Sequence, residues 1–274
     1  MTAWTETYRG MVAAWECDAF AHFTIAFYFD RLDDCSAALT AALGAAGWRT
    51  DSLTVRYRHE LRANDGLHAE SGVVAADARA LTLAHKFFNS VTGDVTTLVE
   101  QRLLPDAGAV PVAAVERVTD WEAAEGAPGD LPKAFVPTGR SLVKPAELDA
   151  SGALAWSAFV HRFSACNPHL LSSIGMTPQY MREAQQGFST FETRLGLLGP
   201  RPKAGDLLAI RSGIVRFGKS SVGMVHQMID VRADRAVATF HQAGVQLDMV
   251  ARRSKPWPDD IRRAGEALLG KASA

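Results

Sequence analysis

Between Ile25 and Leu43 the apolar residues fall at Ile25, Phe29, Leu32, Cys35, Ala38, Leu39 and Ala42, with Arg31, Asp33 and Asp34 among them. Recurrence every three or four positions is the stripe of an amphipathic helix, and this one predicts about five turns ending near Gly44 and Gly47. Beyond Gly47 the period changes. Four runs with strand character, 53–61, 68–75, 81–89 and 96–104, are separated by Asn64-Asp65-Gly66, Asp77-Ala78-Arg79 and Thr92-Gly93-Asp94. Turn residues at those spacings predict an antiparallel meander. The second half reads alike: a helical pattern over 154–164, interrupted at Asn167-Pro168, a further helical stretch over 178–186, then strand runs at 188–197, 207–216, 222–231 and 236–247. Residues 105–137 are rich in Pro, Ala and Gly and read as a linker with one short helix near 115–124. Lys255-Pro256-Trp257-Pro258 leads into a terminal helix over 259–269, capped by Asp259 or the residue before it.

The two halves share more than a pattern. Glu16, Asp18, Ala19, Arg31 and Cys35 recur as Glu147, Asp149, Ala150, Arg162 and Cys166, and 147 − 16 and 166 − 35 both equal 131. A second echo has an offset of 141, from His85 to His226 and from Gln101 to Gln242. The chain is therefore read as two copies of one module, with about ten residues inserted in the second. The expected layout is an N-terminal module over 1–104, a linker over 105–137 and a C-terminal module over 138–274, each an antiparallel sheet wrapped around a long central helix. That is an α+β architecture, and pairing of the free sheet edges would join the two sheets into one.

Composition narrows the function classes. With 274 residues, 47% hydrophobic, 22% charged and a net charge of −1, each half can bury a core, and the marked cationic excess of nucleic-acid or polybasic membrane binders is absent. The N-terminus lacks a signal-peptide pattern and no apolar run has membrane-spanning length, so a cytoplasmic protein is expected. Three cysteines without CxxC spacing argue against a disulfide framework or a zinc site, and Cys35 and Cys166, at equivalent apolar positions, read as small core residues. His85 and His226 occupy matching strand positions, which suggests a structural role for both. No G-x-S-x-G elbow, Walker motif or dinucleotide fingerprint occurs.

From Asp18-Ala19-Phe20-Ala21-His22-Phe23-Thr24-Ile25 through Tyr28 to Asp33, the sequence resembles the helix entrance of the hotdog-fold acyl-CoA thioesterases related to 4-hydroxybenzoyl-CoA thioesterase. Asp18, His22, Tyr28 and Asp33 fit that pattern. Ala21 replaces its glycine, and Thr24-Ile25 its paired asparagines. Arg216-Phe217-Gly218-Lys219-Ser220-Ser221 resembles the glycine and serine turn of the same superfamily, and Arg252 to Pro258 its closing segment. With the duplicated order of elements, the resemblance covers nearly the whole chain and implies a tandem, or double, hotdog whose fused halves supply the usual dimer internally.

The resemblance implies thioester hydrolysis without a metal or redox cofactor. Asp18 is the expected general base or nucleophile, with His22 and Thr24 beside it. The backbone N–H groups of Thr24, Ile25 and Ala26 at the helix start are the expected oxyanion site. Trp15, Phe20, Phe23 and Phe27 line the same entrance. In copy two, Ala153 stands where His22 was and Ala155 where Thr24 was, so a second site at Glu147 and Asp149 has less equipment. Copy one in turn has Asp77-Ala78-Arg79-Ala80 in place of Gly218 to Ser221. These complementary losses suggest one composite site, in which Arg216, Gly218, Lys219, Ser220 and Ser221 bind the coenzyme A part of the substrate. The expected partner is a small or medium acyl-CoA, with assembly into homodimers of the double unit left open. The rival readings are a hotdog-fold enoyl-CoA hydratase or dehydratase and a non-catalytic acyl-CoA-binding protein.

Overall fold

The computed structural model describes residues 3–18, 20–110, 112, 115–124 and 129–270. The chain divides into two compact units, residues 1–125 and 126–274. No helix among the described residues is long and apolar enough to cross a membrane.

In the first unit the elements run β1 (Thr5–Met11), α1 (Ile25–Ala42), β2 (Trp48–Tyr57), β3 (Gly66–Ala76), β4 (Leu81–Asn89) and β5 (Val95–Pro105). The strands are antiparallel in the order β1-β3-β4-β5-β2. The stripe predicted for α1 is the face it buries: Phe29, Leu32, Cys35 and Leu39 are at most 3% exposed, and Leu39 packs with Val73, Leu81, Leu83 and Leu103 of the sheet. Each of the Phe and Leu side chains contributes about 1.5–3 kcal/mol of apolar burial. β2 starts earlier than its apolar run suggests. Gly44 and Gly47 take left-handed conformations (φ 62° and 77°), and a side chain at Gly47 would lie 2.9 Å from the Ala109 backbone. The chain thus reverses tightly and enters the sheet at once, with Trp48 Nε1 donating to the Val110 carbonyl at 2.8 Å.

The short helix expected near 115–124 does not form. The Val118 N–H donates to the Val73 carbonyl (2.9 Å), Asp120 accepts from Lys86 Nζ (2.6 Å) and Trp4 Nε1 (2.7 Å), and Trp121 Nε1 donates to Glu100 (3.0 Å). Bonds to the sheet hold this segment as an extended strap, and tertiary partners override local propensity.

The second unit runs β6 (Val136–Leu142), α2 (Trp156–Ser164), α3 (Asn167–Ser172), α4 (Pro178–Glu183), β7 (Gln186–Leu197), β8 (Leu207–Phe217), β9 (Ser221–Asp230), β10 (Arg235–Asp248), β11 (Arg253–Ser254) and α5 (Asp259–Gly270). Its order, β6-β8-β9-β10-β7, reproduces that of the first unit, and the unforeseen β11 pairs with β10. The expectation of one long helix in each module fails here, because the helix is in three pieces. Pro168 starts α3, Gly175 at φ 94° follows it, and Thr177 caps α4 by accepting from the Tyr180 N–H (3.1 Å). The terminal helix packs against this broken run: Trp257 and Ile261 share a core with Leu170, Leu171, Ile174, Met176 and Met224.

The duplicated histidines are structural, as their pairing suggested. In the first unit Thr7 Oγ1 bonds Ser71 Oγ (2.6 Å), Ser71 Oγ bonds His85 Nδ1 (2.6 Å), His85 Nε2 meets Gln101 Oε1 (3.0 Å), and Gln101 Nε2 donates to Thr50 (2.7 Å). The second unit repeats the chain through Thr138, Ser212 and His226, with Gln242 Nε2 donating to Thr190 at 2.6 Å. There, however, His226 Nε2 and Gln242 Oε1 have no hydrogen-bond partner among the described residues. Burial pushes both histidines down to about 4, so both are neutral in the folded chain at neutral pH. Cys35, buried beside Thr7 and Ser71, is pushed up to about 12 by its burial, and its thiol is inert.

A pH dependence follows. The unfolded chain takes up these protons near the ordinary histidine value, about 6.5, and the folded chain only near 4. Their contribution to stability is therefore complete above about pH 6.5 and lost as pH falls toward 4, by roughly 3 kcal/mol per histidine. Urea unfolding at stepped pH should show this fall, and His85→Asn should make it shallower even though it lowers stability at pH 7. An equally steep fall in the variant would remove His85 from the account.

Candidate active site

At the start of α1 the chain makes a short hairpin. The Asp18 N–H donates to the His22 carbonyl (2.8 Å) and the Ala21 N–H to the Asp18 carbonyl (3.0 Å), while Cys17 and Phe23 form a bridge. The Phe23 N–H donates to the Leu61 carbonyl (2.7 Å), tying the loop to the segment after β2. Beneath lies Glu16, 1% exposed, which accepts from Arg31 of α1 and from the Ala13 N–H (2.8 Å). The recurring Glu and Arg are thus a buried ion pair that fixes the loop to its helix.

The expected site residues converge on this loop with different roles. Asp18 is exposed, and its Oδ1 accepts from the N–H groups of Phe20 (2.8 Å) and His22 (3.0 Å). One carboxylate oxygen therefore shapes the turn and the other is not used for it. His22 is largely buried, with Nε2 3.2 Å from Glu60 Oε2. Thr24 is the residue preceding α1, but its side chain makes no capping bond. Its own N–H donates to the Glu16 carbonyl (3.0 Å), which removes Thr24 from the expected oxyanion set and leaves Ile25 and Ala26. Trp15, 75% exposed, meets Phe27 edge to face with ring centroids 5.5 Å apart, and Phe20, also exposed, has its ring centroid 6.5 Å from that of His22.

The second unit repeats the backbone and changes the chemistry. The Asp149 N–H donates to the Ala153 carbonyl (2.9 Å), the Gly152 N–H to the Asp149 carbonyl (3.0 Å), and the Leu154 N–H to the Pro202 carbonyl (2.7 Å). Glu147 pairs with Arg162 at 2.7 Å and accepts the Lys144 N–H, the same structural duty as Glu16. Asp149 accepts from Arg201 and from the Ser151 hydroxyl (2.6 Å). Its partial burial opposes ionisation, but Ser151 and Arg201 outweigh this and hold its carboxyl below the ordinary aspartate range.

Gly218 to Ser221 form the tight turn between β8 and β9. The Gly218 N–H donates to the Ser221 carbonyl (2.8 Å), and a side chain at Gly218 would lie 2.6 Å from Ser221 Oγ. The turn is clamped from outside, since the Lys219 carbonyl accepts from the Trp257 N–H (3.0 Å) and the Ser220 carbonyl from the Gln246 N–H (2.9 Å). Arg216 and Lys219 are exposed on either side of the glycine.

The model of the thioesterase-like superfamily matches residues 12–105 and 143–265, one segment in each unit. The chain belongs to the thioesterase-like superfamily. It is a thioester hydrolase by that membership, built as a double hotdog. Two solved structures have the same fold at low identity. An acyl-ACP thioesterase from Bacteroides thetaiotaomicron is 9% identical, with a TM-score of 0.62 over 88% of this chain and 98% of its own. The 12:0-ACP thioesterase from Umbellularia californica is 9% identical, with a TM-score of 0.63 over 89% of this chain and 94% of its own. No curated protein matches the chain in sequence.

Sequence reasoning missed two residues of this thioesterase entrance, Glu60 and Arg201. They occupy the same place, since each precedes the residue whose carbonyl receives the loop, and Asp65 and Asp206 follow at the shared offset of 141. That offset, carried back from His85 and His226 through the turn, would have aligned them and exposed the reversal of charge.

Ala21 has φ 61° where the second unit has Gly152 at φ 75°. The left-handed region costs a residue with a Cβ about 1–2 kcal/mol. Ala21→Gly should therefore raise stability by about 0.5–1 kcal/mol in denaturant unfolding, the gain being reduced by the greater freedom of glycine in the unfolded chain. A loss of stability would mean that Ala21 does not hold this conformation.

Proposed function

We propose that this thioesterase hydrolyses a small or medium acyl-CoA to the free acid and coenzyme A at the entrance to α1. The observation that carries this reading is the His22–Glu60 pair beside Asp18 at a helix N-terminus with no side-chain cap. Asp18, through the oxygen its turn does not use, takes a proton from a water that attacks the thioester carbonyl carbon. The charge developing on the carbonyl oxygen meets the N–H groups of Ile25 and Ala26 and the positive end of α1. As the carbon–sulfur bond breaks, His22, positioned by Glu60, gives a proton to the leaving sulfur. The proton on Asp18 then passes to His22, so one water is consumed and one acid and one thiol are released. The Thr24 hydroxyl, which makes no capping bond, is available to the water or the acyl oxygen.

Thiol release from a panel of acyl-CoA esters, run beside the same acyl groups on acyl carrier protein, tests the reading. Asp18→Asn, which keeps the acceptor its turn needs, should lower kcat by about 10²- to 10⁴-fold, and Glu60→Gln by about 10- to 100-fold. Unchanged kcat in both carboxylate variants would reject the site. A marked preference for the carrier protein would reject coenzyme A as the carrier, and hydration of an enoyl-CoA without thiol release would reject hydrolysis.

A further inference from the structure

We propose that Arg201 silences the second helix entrance and so decides which of two equivalent entrances performs hydrolysis; this rests on the site proposed above. The two entrances have the same backbone frame. Each carries the Asp-led hairpin, a Glu–Arg pair, buried at Glu16 and partly exposed at Glu147, and a helix whose preceding residue, Thr24 or Ala155, makes no capping bond. The flanking turn also coincides: the Arg62 N–H donates to Asp65 Oδ2 (2.8 Å), and the Lys203 N–H to Asp206 Oδ2 (2.7 Å). Within that frame several side chains differ, and two of the exchanges bear on proton transfer.

Where the first unit has His22 and Glu60 in contact, the second has Ala153 and Arg201. The arginine turns onto the aspartate. It bonds the Asp149 carboxylate, the Ser151 hydroxyl at 3.0 Å and the Leu154 carbonyl at 3.2 Å, and its guanidinium lies 5.4 Å from the centre of the Trp156 ring. These contacts use four chemically different partners and hold the head group over the start of α2. A carboxylate bound by a guanidinium is a weakened base, and its oxygen is covered against a water. Ala153 removes the proton carrier as well. The same substitution thus makes the second entrance a structural staple, while the first keeps a carboxylate available for chemistry.

The test transplants the active pair. In a chain whose first site is disabled by Glu60→Gln, Ala153→His with Arg201→Glu should raise thiol release from an acyl-CoA ester by at least about tenfold, a small share of what general acid–base catalysis can supply. Adding Asp149→Asn should abolish the gain. Arg201→Gln alone, in the otherwise native chain, should lower the thermal midpoint and leave kcat unchanged. Should the charge-reversed variant not fold, Ala153→His with Arg201→Gln removes the staple without placing a new charge, and the same rise is expected of it. A folded variant with no rise, or a rise that survives Asp149→Asn, overturns the proposal, as does a lower kcat in Arg201→Gln alone. Failure of the underlying site is seen separately, because Glu60→Gln would then leave the parent activity intact before the second unit is changed.

Discussion

The buried pair of Glu16 and Arg31 is the constraint on which the entrance to α1 depends. Glu16 is nearly sealed from water, and it joins the turn before the loop to the second turn of the helix while also accepting the Ala13 N–H. Removing one partner of such a pair leaves an uncompensated buried charge, typically at about 3–5 kcal/mol, so the pair fixes geometry even where its net contribution to stability is small. Because the Glu16 carbonyl also receives the Thr24 N–H, the same residue sets where the helix begins. Glu147 and Arg162 do this in the second unit. The repeated residues that first reveal the duplication are thus the ones that hold the frame, and they are retained in both copies because both copies need it.

Chemistry is written on that frame by the residues that differ. A loop closed by the same backbone bonds carries His22 beside Glu60 in one unit and Ala153 beside Arg201 in the other. The aspartate common to both shapes the hairpin through Oδ1 in either case. In the mechanism we propose, its neighbour, a carboxylate–imidazole pair in one unit and a guanidinium in the other, decides whether it can also act on water. The Thr–Ser–His chains beneath the helices are a second shared device. They place neutral histidines in the sheet and stiffen it, and they belong to the fold.

Much of this was legible in the sequence. The strand runs, the long first helix, the interruption at Asn167-Pro168 and the terminal helix all rest on strong periodicity or on Pro and Gly punctuation, and all are present. The failures share a cause. The helix expected near 115–124 is an extended strap because Asp120, Trp121 and Val118 find partners far away in sequence. Glu60 gives no local signal, since it matters only once the Phe23 N–H has bonded the Leu61 carbonyl and brought the strand end to His22. Thr24 was misread for the same reason: its N–H looks free in a helix start but is taken by Glu16. Arg201, in a run with Pro200 and Pro202, reads as an ordinary surface cation until its contacts with Asp149 and Trp156 are seen.

The central claim is that two nearly identical helix entrances give one reacting site per chain. Calorimetric titration of the intact protein with a thioether analogue of its acyl-CoA substrate, which binds but cannot be hydrolysed, tests this most directly. The account predicts one equivalent bound per chain, with affinity weakened by Glu60→Gln and unaffected by Ala153→Ser. Two equivalents of matched affinity would contradict it.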